Sequence, residues 1–277
     1  MNRNIAEVKD LTIKLGEKII LDNIHIDFQK GESVLIAGRN GAGKSTFLKC
    51  LAHVILADKG SIVYQRGMDK GKVGFISDKV SLLENLTIRQ SIDFHSSVYN
   101  IRDFDYTLTK ELNLDLKHKI KYLSAGERVL FHLSLLVAQK PEILLVDEII
   151  HTIDPYLRAQ FLETVIDLMD RNKTTVIMVN HTFSEVEKIP ERILLMEQGR
   201  FILDEKSESL RKKIKVIAIK SELPQEIPCI FKQETSFHTE YFIYPFKEEF
   251  RTAYSYEYKD LSLNEIMKAF IGGQYVK

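Results

Sequence analysis

Residues 38–45 read Gly-Arg-Asn-Gly-Ala-Gly-Lys-Ser, which fits the pattern G-x-x-x-x-G-K-[S/T] at every fixed position. Glycines let a backbone curl so that its N–H groups point inward and surround a phosphate group. An apolar run at residues 33–37 precedes the loop, and apolar residues recur at helical spacing over residues 47–55. A strand, a glycine-rich loop and a helix in this order predict a phosphate-binding loop on a parallel α/β sheet.

The end of this loop supplies charge as well as backbone amides. We expect Lys44 to neutralise the β- and γ-phosphates of a nucleotide, and the Ser45 hydroxyl to bind Mg²⁺. A helix that starts near Lys44 adds the positive end of its dipole. The residues of this segment that we expect to contact the nucleotide are Gly38, Arg39, Asn40, Gly41, Ala42, Gly43, Lys44, Ser45 and Thr46.

Two adjacent carboxylates follow a second buried-strand pattern. Residues 143–146 are all apolar, and Asp147 and Glu148 come directly after them. Ligands of open α/β sheets bind at the carboxyl ends of the strands. We therefore expect Asp147 to hold Mg²⁺, and Glu148, on the other side of the pleat, to act as the catalytic base that polarises the attacking water. For an isolated acidic pair, two solvated side chains in a turn would be the alternative.

Residues 123–127 read Leu-Ser-Ala-Gly-Glu and follow a polar, mostly helical segment. The order of phosphate loop, helical insert, this pentapeptide, apolar strand with Asp-Glu, and a later histidine resembles the ATP-binding cassette (ABC) family over residues 5–206. The pentapeptide differs from the family's usual L-S-G-G-Q at Ala125 and Glu127. Taken alone it equally fits an ordinary helix start, so its position in the order carries the resemblance.

The resemblance implies that two copies enclose two ATP molecules, each between the phosphate loop of one copy and the pentapeptide of the other. The residues implied to bind the opposite ATP are Ser124, Ala125, Gly126 and Glu127. His181 matches the histidine that contacts the γ-phosphate and helps to hold the attacking water; by itself it would equally be a surface histidine. Asp154 matches the acid of the loop that crosses to the other subunit.

Two positions depart from the family pattern. Leu15 stands where the family places an aromatic ring against adenine, so we expect it to contact the base without stacking. Asp78 stands where a glutamine usually contacts Mg²⁺ and water, and we expect a Mg²⁺ contact from it through water. Leu15 therefore predicts weaker binding of the base, and Asp78 predicts slower hydrolysis.

Changes in texture along the chain predict its organisation. We expect a nucleotide-binding domain over residues 1–211, with a helical insertion at about 81–125, and a small α+β subdomain over residues 212–277. Strands that alternate with helices predict a P-loop NTPase sheet of the ABC ATPase type. Helical spacing over the insertion includes Phe94 and Val98.

Composition limits the classes of function. The 277 residues contain 39 Lys plus Arg and 39 Asp plus Glu, so no overall charge attracts nucleic acid. Two distant cysteines favour a reducing compartment, and residues 1–10 lack the apolar stretch of a signal peptide. No apolar run reaches the length of about 18 residues that spans a bilayer. We expect a protein on the cytoplasmic face of the cell membrane, attached through a partner.

The resemblance implies an ATPase subunit that drives a separate integral membrane permease together with a second cassette, identical or different. Residues 261–266 and residues 86–89 are similar to parts of cassettes from bacterial drug- and lipid-type exporters. Two alternatives stay open: an ABC ATPase of DNA repair, translation or cofactor assembly, and a regulator that senses ATP with scarcely any turnover.

Overall fold

The computed structural model describes residues 4–68, 70–77 and 82–272. Asp78, predicted to contact Mg²⁺, lies outside the described residues. The predicted α/β fold class is confirmed, because a mostly parallel sheet is packed on both faces by helices and apolar cores.

The central sheet consists of six strands that include the predicted apolar runs. Their bounds are β3 Ser33–Ala37, β5 Val73–Ser77, β6 Ile143–Asp147, β7 Thr175–Val179, β8 Arg192–Glu197 and β9 Arg200–Lys206. They are ordered β5-β6-β7-β3-β8-β9, and only β9 runs antiparallel to its neighbour. Strands β3, β6 and β7 are buried along their whole length, as continuous apolar runs predict. Their carboxyl ends meet at one edge, where the phosphate loop begins.

A smaller antiparallel sheet covers one face of the central sheet. It contains β1 Asn4–Leu15, β2 Lys18–Gln29 and β4 Lys59–Tyr64 in the order β2-β1-β4. Helix α1, Lys44–Leu51, lies between the two sheets and buries Phe47, Leu48 and Leu51 in their shared core. The first turn of α1 is thereby held beside the strand ends.

Helices cover the opposite face. Helices α4 Ala125–Gln139 and α5 Pro155–Asn172 pack on the sheet, and α2 Ile88–Tyr99 and α3 Thr107–Glu111 pack on α4. Ile92 of the predicted helical insertion is buried against Phe131 of α4. Phe94 and Val98 of the same pattern are exposed, because α2 is covered on one face only.

The C-terminal part combines helices with a third sheet. Its elements are α6 Ser207–Lys213, β10 Lys215–Ile219, β11 Cys229–Glu234, β12 Thr239–Ile243, α7 Glu249–Ala253 and α8 Leu263–Gly272. The strand order is β10-β12-β11, and β11 was not predicted. Helix α8 buries Ile266 and Phe270 in the main core. The division into domains at residue 211 stays a prediction. None of the helices in the described ranges is both long and apolar enough to cross a bilayer.

Candidate active site

The phosphate loop depends on glycines where it approaches neighbouring backbone. Gly38 has φ +148°, and a Cβ atom there would lie 2.2 Å from the carbonyl oxygen of Met196. Gly43, which precedes α1, has φ +108°, and a Cβ atom there would lie 2.9 Å from the carbonyl oxygen of Ile20. Strand β8 and strand β2 therefore hold the loop at both ends, and larger residues would displace it.

Lys44 is buried within this loop. Its Nζ donates to the carbonyl oxygen of Gly38 at 2.9 Å and to that of Arg39 at 3.1 Å. Burial lowers the pKa of Lys44, while the nearby carboxylates of Glu148 and Asp147 raise it. The ammonium group is held by two neutral carbonyl acceptors. A charged phosphate oxygen can take their place and form a stronger hydrogen bond with Lys44.

Ser45 and Asp147 meet directly. The Ser45 hydroxyl donates to Oδ1 of Asp147 at 2.9 Å, which joins the first turn of α1 to the end of β6. The Asp147 side chain is buried, and oxygen donors of this kind are those that Mg²⁺ prefers. The pair predicted to hold the metal is thus in one place.

Glu148 and His181 form a second pair in the same cleft. Nε2 of His181 lies 2.8 Å from Oε1 of Glu148, so this nitrogen donates to the carboxylate. Glu148 has φ +51°, a left-handed conformation that costs about 1 kcal/mol for a residue with a side chain. Its N–H donates to the carbonyl oxygen of Val179, which fixes this turn.

An open cleft of about 610 Å³ is lined by Lys44 and Ser45, and Asp147 adjoins it through its hydrogen bond with Ser45. Its walls include Asn40, Gly41, Thr46 and both members of the Glu148–His181 pair. Lys18 and Ile20 of β2 complete it, and no motif indicated either residue, because the β1–β2 hairpin presents them from outside the phosphate loop. Leu15 lies at the end of β1 with 75% of its surface exposed and does not line the cleft.

Arg39 points away from the cleft. Its Nε donates to the carbonyl oxygen of Ile271 at 2.9 Å, at the end of α8. Its backbone carbonyl accepts from Lys44, so its predicted contribution to the nucleotide site is made by the main chain.

The pentapeptide lies outside the cleft. Ser124 caps α4: its hydroxyl accepts from the Glu127 N–H at 3.2 Å, and the Glu127 carboxylate accepts from the Ser124 N–H at 2.8 Å. Ala125 is the first residue of the helix. Asp154 caps α5 by accepting from the N–H groups of Tyr156 and Leu157. Their roles toward a second copy stay predictions.

Comparison with known proteins places this site in a family. A family model described as ABC transporter matches residues 21–151. The linearmycin resistance ATP-binding protein LnrL of Bacillus subtilis is 31% identical over 212 residues, which cover 72% of this chain and 68% of LnrL. The chain belongs to the ABC transporter family.

Other members and structures agree with this assignment. The methionine import ATP-binding protein MetN of Chlamydia pneumoniae is 27% identical over 70% of this chain and 63% of MetN. The dimeric structure of an ATP-binding cassette in a post-hydrolysis state, bound to ADP and Pi, has a TM-score of 0.61 and 23% identity, and the match covers 73% of this chain and 98% of that one. At this identity the likeness shows the fold. The chain is an ATP-binding and ATP-hydrolysing subunit of an ABC transporter.

Proposed function

We propose that two copies of this ABC ATPase, or one copy and a related cassette, close around two molecules of ATP·Mg²⁺ and drive a separate permease that exports its cargo. One observation carries the proposal. A single chain lines one open cleft with Lys44, Ser45 and the Glu148–His181 pair, places the buried Asp147 against Ser45, and leaves the capped Ser124 helix start outside the cleft. A cleft open on this side needs a second anion-binding surface to cover the phosphates.

In this mechanism each group has a separate task. The loop amides and Lys44 hold the triphosphate. Ser45 and Asp147 would hold Mg²⁺, which would supply positive charge against the negative charge that develops on the phosphates. Glu148 accepts a proton from the attacking water, and His181 keeps the carboxylate turned toward the cleft.

The residues present fit a magnesium ion that arrives with its nucleotide. Mg²⁺ usually takes one or two carboxylates and completes its shell with substrate phosphates and water. The Ser45–Asp147 pair provides such a half-site, and no group of three or more His, Cys, Asp or Glu side chains suited to a metal occurs within the described ranges. Metal binding is therefore expected to depend on ATP.

The helical insertion supports a protein partner. Four large apolar side chains are exposed near its start and along α2: Leu83, Phe94, Val98 and Tyr99. Exposed apolar residues grouped on one surface are typical of interaction sites. We assign this surface to the cytoplasmic part of the permease.

Export is favoured by the relatives. The name of LnrL refers to resistance, whereas that of MetN, at lower identity, refers to import. A cell in which Lys44→Ala replaces the wild-type chain is expected to become more sensitive to toxic compounds, with nutrient uptake unchanged. A nutrient requirement instead would indicate import.

The nucleotide part of the proposal is tested with Lys44→Ala, with Lys49→Ala on the same helix as the matched control. We expect the first variant to lose ATP binding and turnover by on the order of a hundredfold, as removal of a charged hydrogen bond of about 3 kcal/mol predicts. The control should bind and hydrolyse ATP normally. Full affinity and turnover in Lys44→Ala would refute the site.

The transport part is tested by purification from membranes. Wild-type protein should retain an integral membrane protein, and Phe94→Ala with Val98→Ala should release it while ATP hydrolysis by the purified chain continues. Recovery of a soluble partner alone would favour an ABC ATPase of DNA repair, translation or cofactor assembly. Binding of ATP without turnover would favour the ATP-sensing regulator.

A further inference from the structure

Arg158 joins two loops of the site at a distance from the cleft. It lies in the second turn of α5 with its side chain 22% exposed. Its Nε donates to the carbonyl oxygen of Ile150 at 3.0 Å, its Nη2 donates to that of Ile153 at 2.8 Å, and its Nη1 forms an ion pair with Glu185. One guanidinium group thus binds three acceptors on two separate segments.

Each of these segments carries one member of the catalytic pair. Ile150 and Ile153 follow Glu148 in the loop that leads to α5, and Glu185 follows His181 by four residues. The two segments already meet at the contact of 2.8 Å between Glu148 and His181. Arg158 forms a second connection between them, so the two segments are linked both by the Glu148–His181 contact and by the arginine.

The loop is fixed from its other side as well. A Cβ atom on Gly126 would lie 2.6 Å from Cδ1 of Leu157 and 3.2 Å from Cγ2 of Ile153, so the start of α4 packs closely on it. Ile150 and Ile153 are themselves buried in the main core. With apolar packing on one side, the polar partners of Arg158 decide where the loop carbonyls stand.

Only arginine meets this set of acceptors. Its planar group presents donors in a rigid fork, whereas a lysine would place one ammonium group near one acceptor at a time. Glu185 is largely buried, and its Oε2 has no hydrogen-bond partner within the described residues. Removal of Arg158 would leave that charge buried and unpaired, which favours a shift of the segment after His181.

We propose that Arg158 is a positioning residue for ATP hydrolysis, which sets the position of the Glu148 carboxylate relative to His181 through the two segments that it joins. The inference rests on the proposed roles of Glu148 and His181. Arg158 itself does not line the cleft, so the nucleotide contacts remain without it.

The test compares Arg158→Ala, Arg158→Lys and Glu185→Gln with Arg171→Ala. Arg171 lies on the same helix, is 78% exposed, and pairs with Asp167 four residues before it. We expect Arg158→Ala to lower kcat on the order of tenfold and to change KM for ATP less than about twofold, because a misplaced base slows chemistry without weakening binding. Arg158→Lys should recover part of kcat, Glu185→Gln should lower it about threefold, and Arg171→Ala should match wild type.

A second measurement separates positioning from general damage. In a Glu148→Gln background, single-turnover hydrolysis should fall less than about twofold when Arg158→Ala is added, because the arginine acts through the missing carboxylate. An independent loss of about tenfold in that background would overturn the proposal. A wild-type kcat in folded Arg158→Ala would also overturn the proposal. If Arg158→Ala does not fold, a wild-type kcat in Glu185→Gln would overturn it. Absence of turnover in the wild-type protein would instead count against the proposed function.

Discussion

Oε1 of Glu148 lies 2.8 Å from Nε2 of His181 and 3.9 Å from Nζ of Lys44. One carboxylate oxygen therefore faces the imidazole of one loop and the ammonium group of another. The positive charge of Lys44 attracts this oxygen from the phosphate loop, and the hydrogen bond from His181 holds it from the opposite side. We expect ATP to draw Lys44 toward its phosphates and to leave the carboxylate free for water.

Glu148→Gln should slow turnover strongly and preserve ATP binding. The amide keeps the size of the side chain and cannot take a proton, so we expect a fall in kcat of at least a hundredfold, within the range attributed to general base catalysis. Nucleotide affinity should stay within about threefold, since Lys44 and the loop amides are untouched. Turnover is measured by phosphate release and affinity by equilibrium binding.

The same variant tests the dimer. If hydrolysis opens the closed pair, Glu148→Gln with ATP and Mg²⁺ should elute as a dimer in gel filtration, and wild type should elute as a monomer after turnover. ADP serves as the control ligand. A variant that stays monomeric with ATP would contradict closure between two identical copies and would favour a related cassette as the partner.

Leu15→Tyr should strengthen ATP binding. An aromatic ring beside adenine adds about 0.5–1.5 kcal/mol over an aliphatic contact, which corresponds to a dissociation constant lower by about 2- to 12-fold. Leu15 is exposed at the end of β1, so the larger side chain meets no packed neighbour. Ile166→Tyr, on the exposed side of α5, is the control. Equal affinity in Leu15→Tyr and wild type would place the base elsewhere.

Gly38→Ala and Gly41→Ala should differ sharply although both glycines have positive φ. A Cβ atom on Gly38 would lie 2.2 Å from a backbone oxygen, whereas nothing lies within 4 Å of a Cβ atom on Gly41. Gly41→Ala should lower the free energy of unfolding by about 1–2 kcal/mol, the cost of an alanine in a left-handed conformation. Gly38→Ala should lower the free energy of unfolding more than Gly41→Ala does, and should also weaken ATP binding more. Thermal unfolding and nucleotide binding of both variants provide the comparison, and equal losses would show that crowding at Met196 is unimportant.

The site could be predicted from the sequence where local chemistry sets the conformation. Residues 38–45 adopt a curled loop because their glycines permit it, and Ser45 and Asp147 meet because parallel strands end at one edge. Contacts between distant segments carry no such local signal. The bond from Arg39 to Ile271 spans the length of the chain, and nothing near residue 39 indicates it.

The fold follows the same division. Strands β3 and β6 were predicted because burial on both faces demands a continuous apolar run. Strand β11 was missed because it belongs to a small sheet with half-buried residues and alternates little. Phe94 and Val98 lie on a helix as their spacing predicted, but their exposure could not be predicted, since periodicity reports a helix face and not what covers it.

A histidine beneath the helical insertion should make stability fall in acid. Nδ1 of His132 is buried without a hydrogen-bond partner within the described part of the chain. Burial, with a smaller contribution from His95, lowers the pKa of His132 from 6.5 to about 4. Burial also lowers the pKa of His95, although a hydrogen bond to the Leu135 backbone opposes the shift. Both imidazoles therefore stay neutral in the folded protein at pH values where the unfolded chain is protonated.

The direction of the pH dependence of stability follows from proton binding in the two states. Between pH 6.5 and about 4 the unfolded chain holds a proton on His132 that the folded chain lacks, so the stability is complete above this window and is lost as pH falls through it. We expect the free energy of unfolding to drop by about 2 kcal/mol more between pH 7 and pH 5 in wild type than in His132→Asn. His118→Gln, at an exposed position, is the control. Denaturant unfolding at both pH values measures the difference, and parallel curves for wild type and His132→Asn would contradict a neutral buried imidazole.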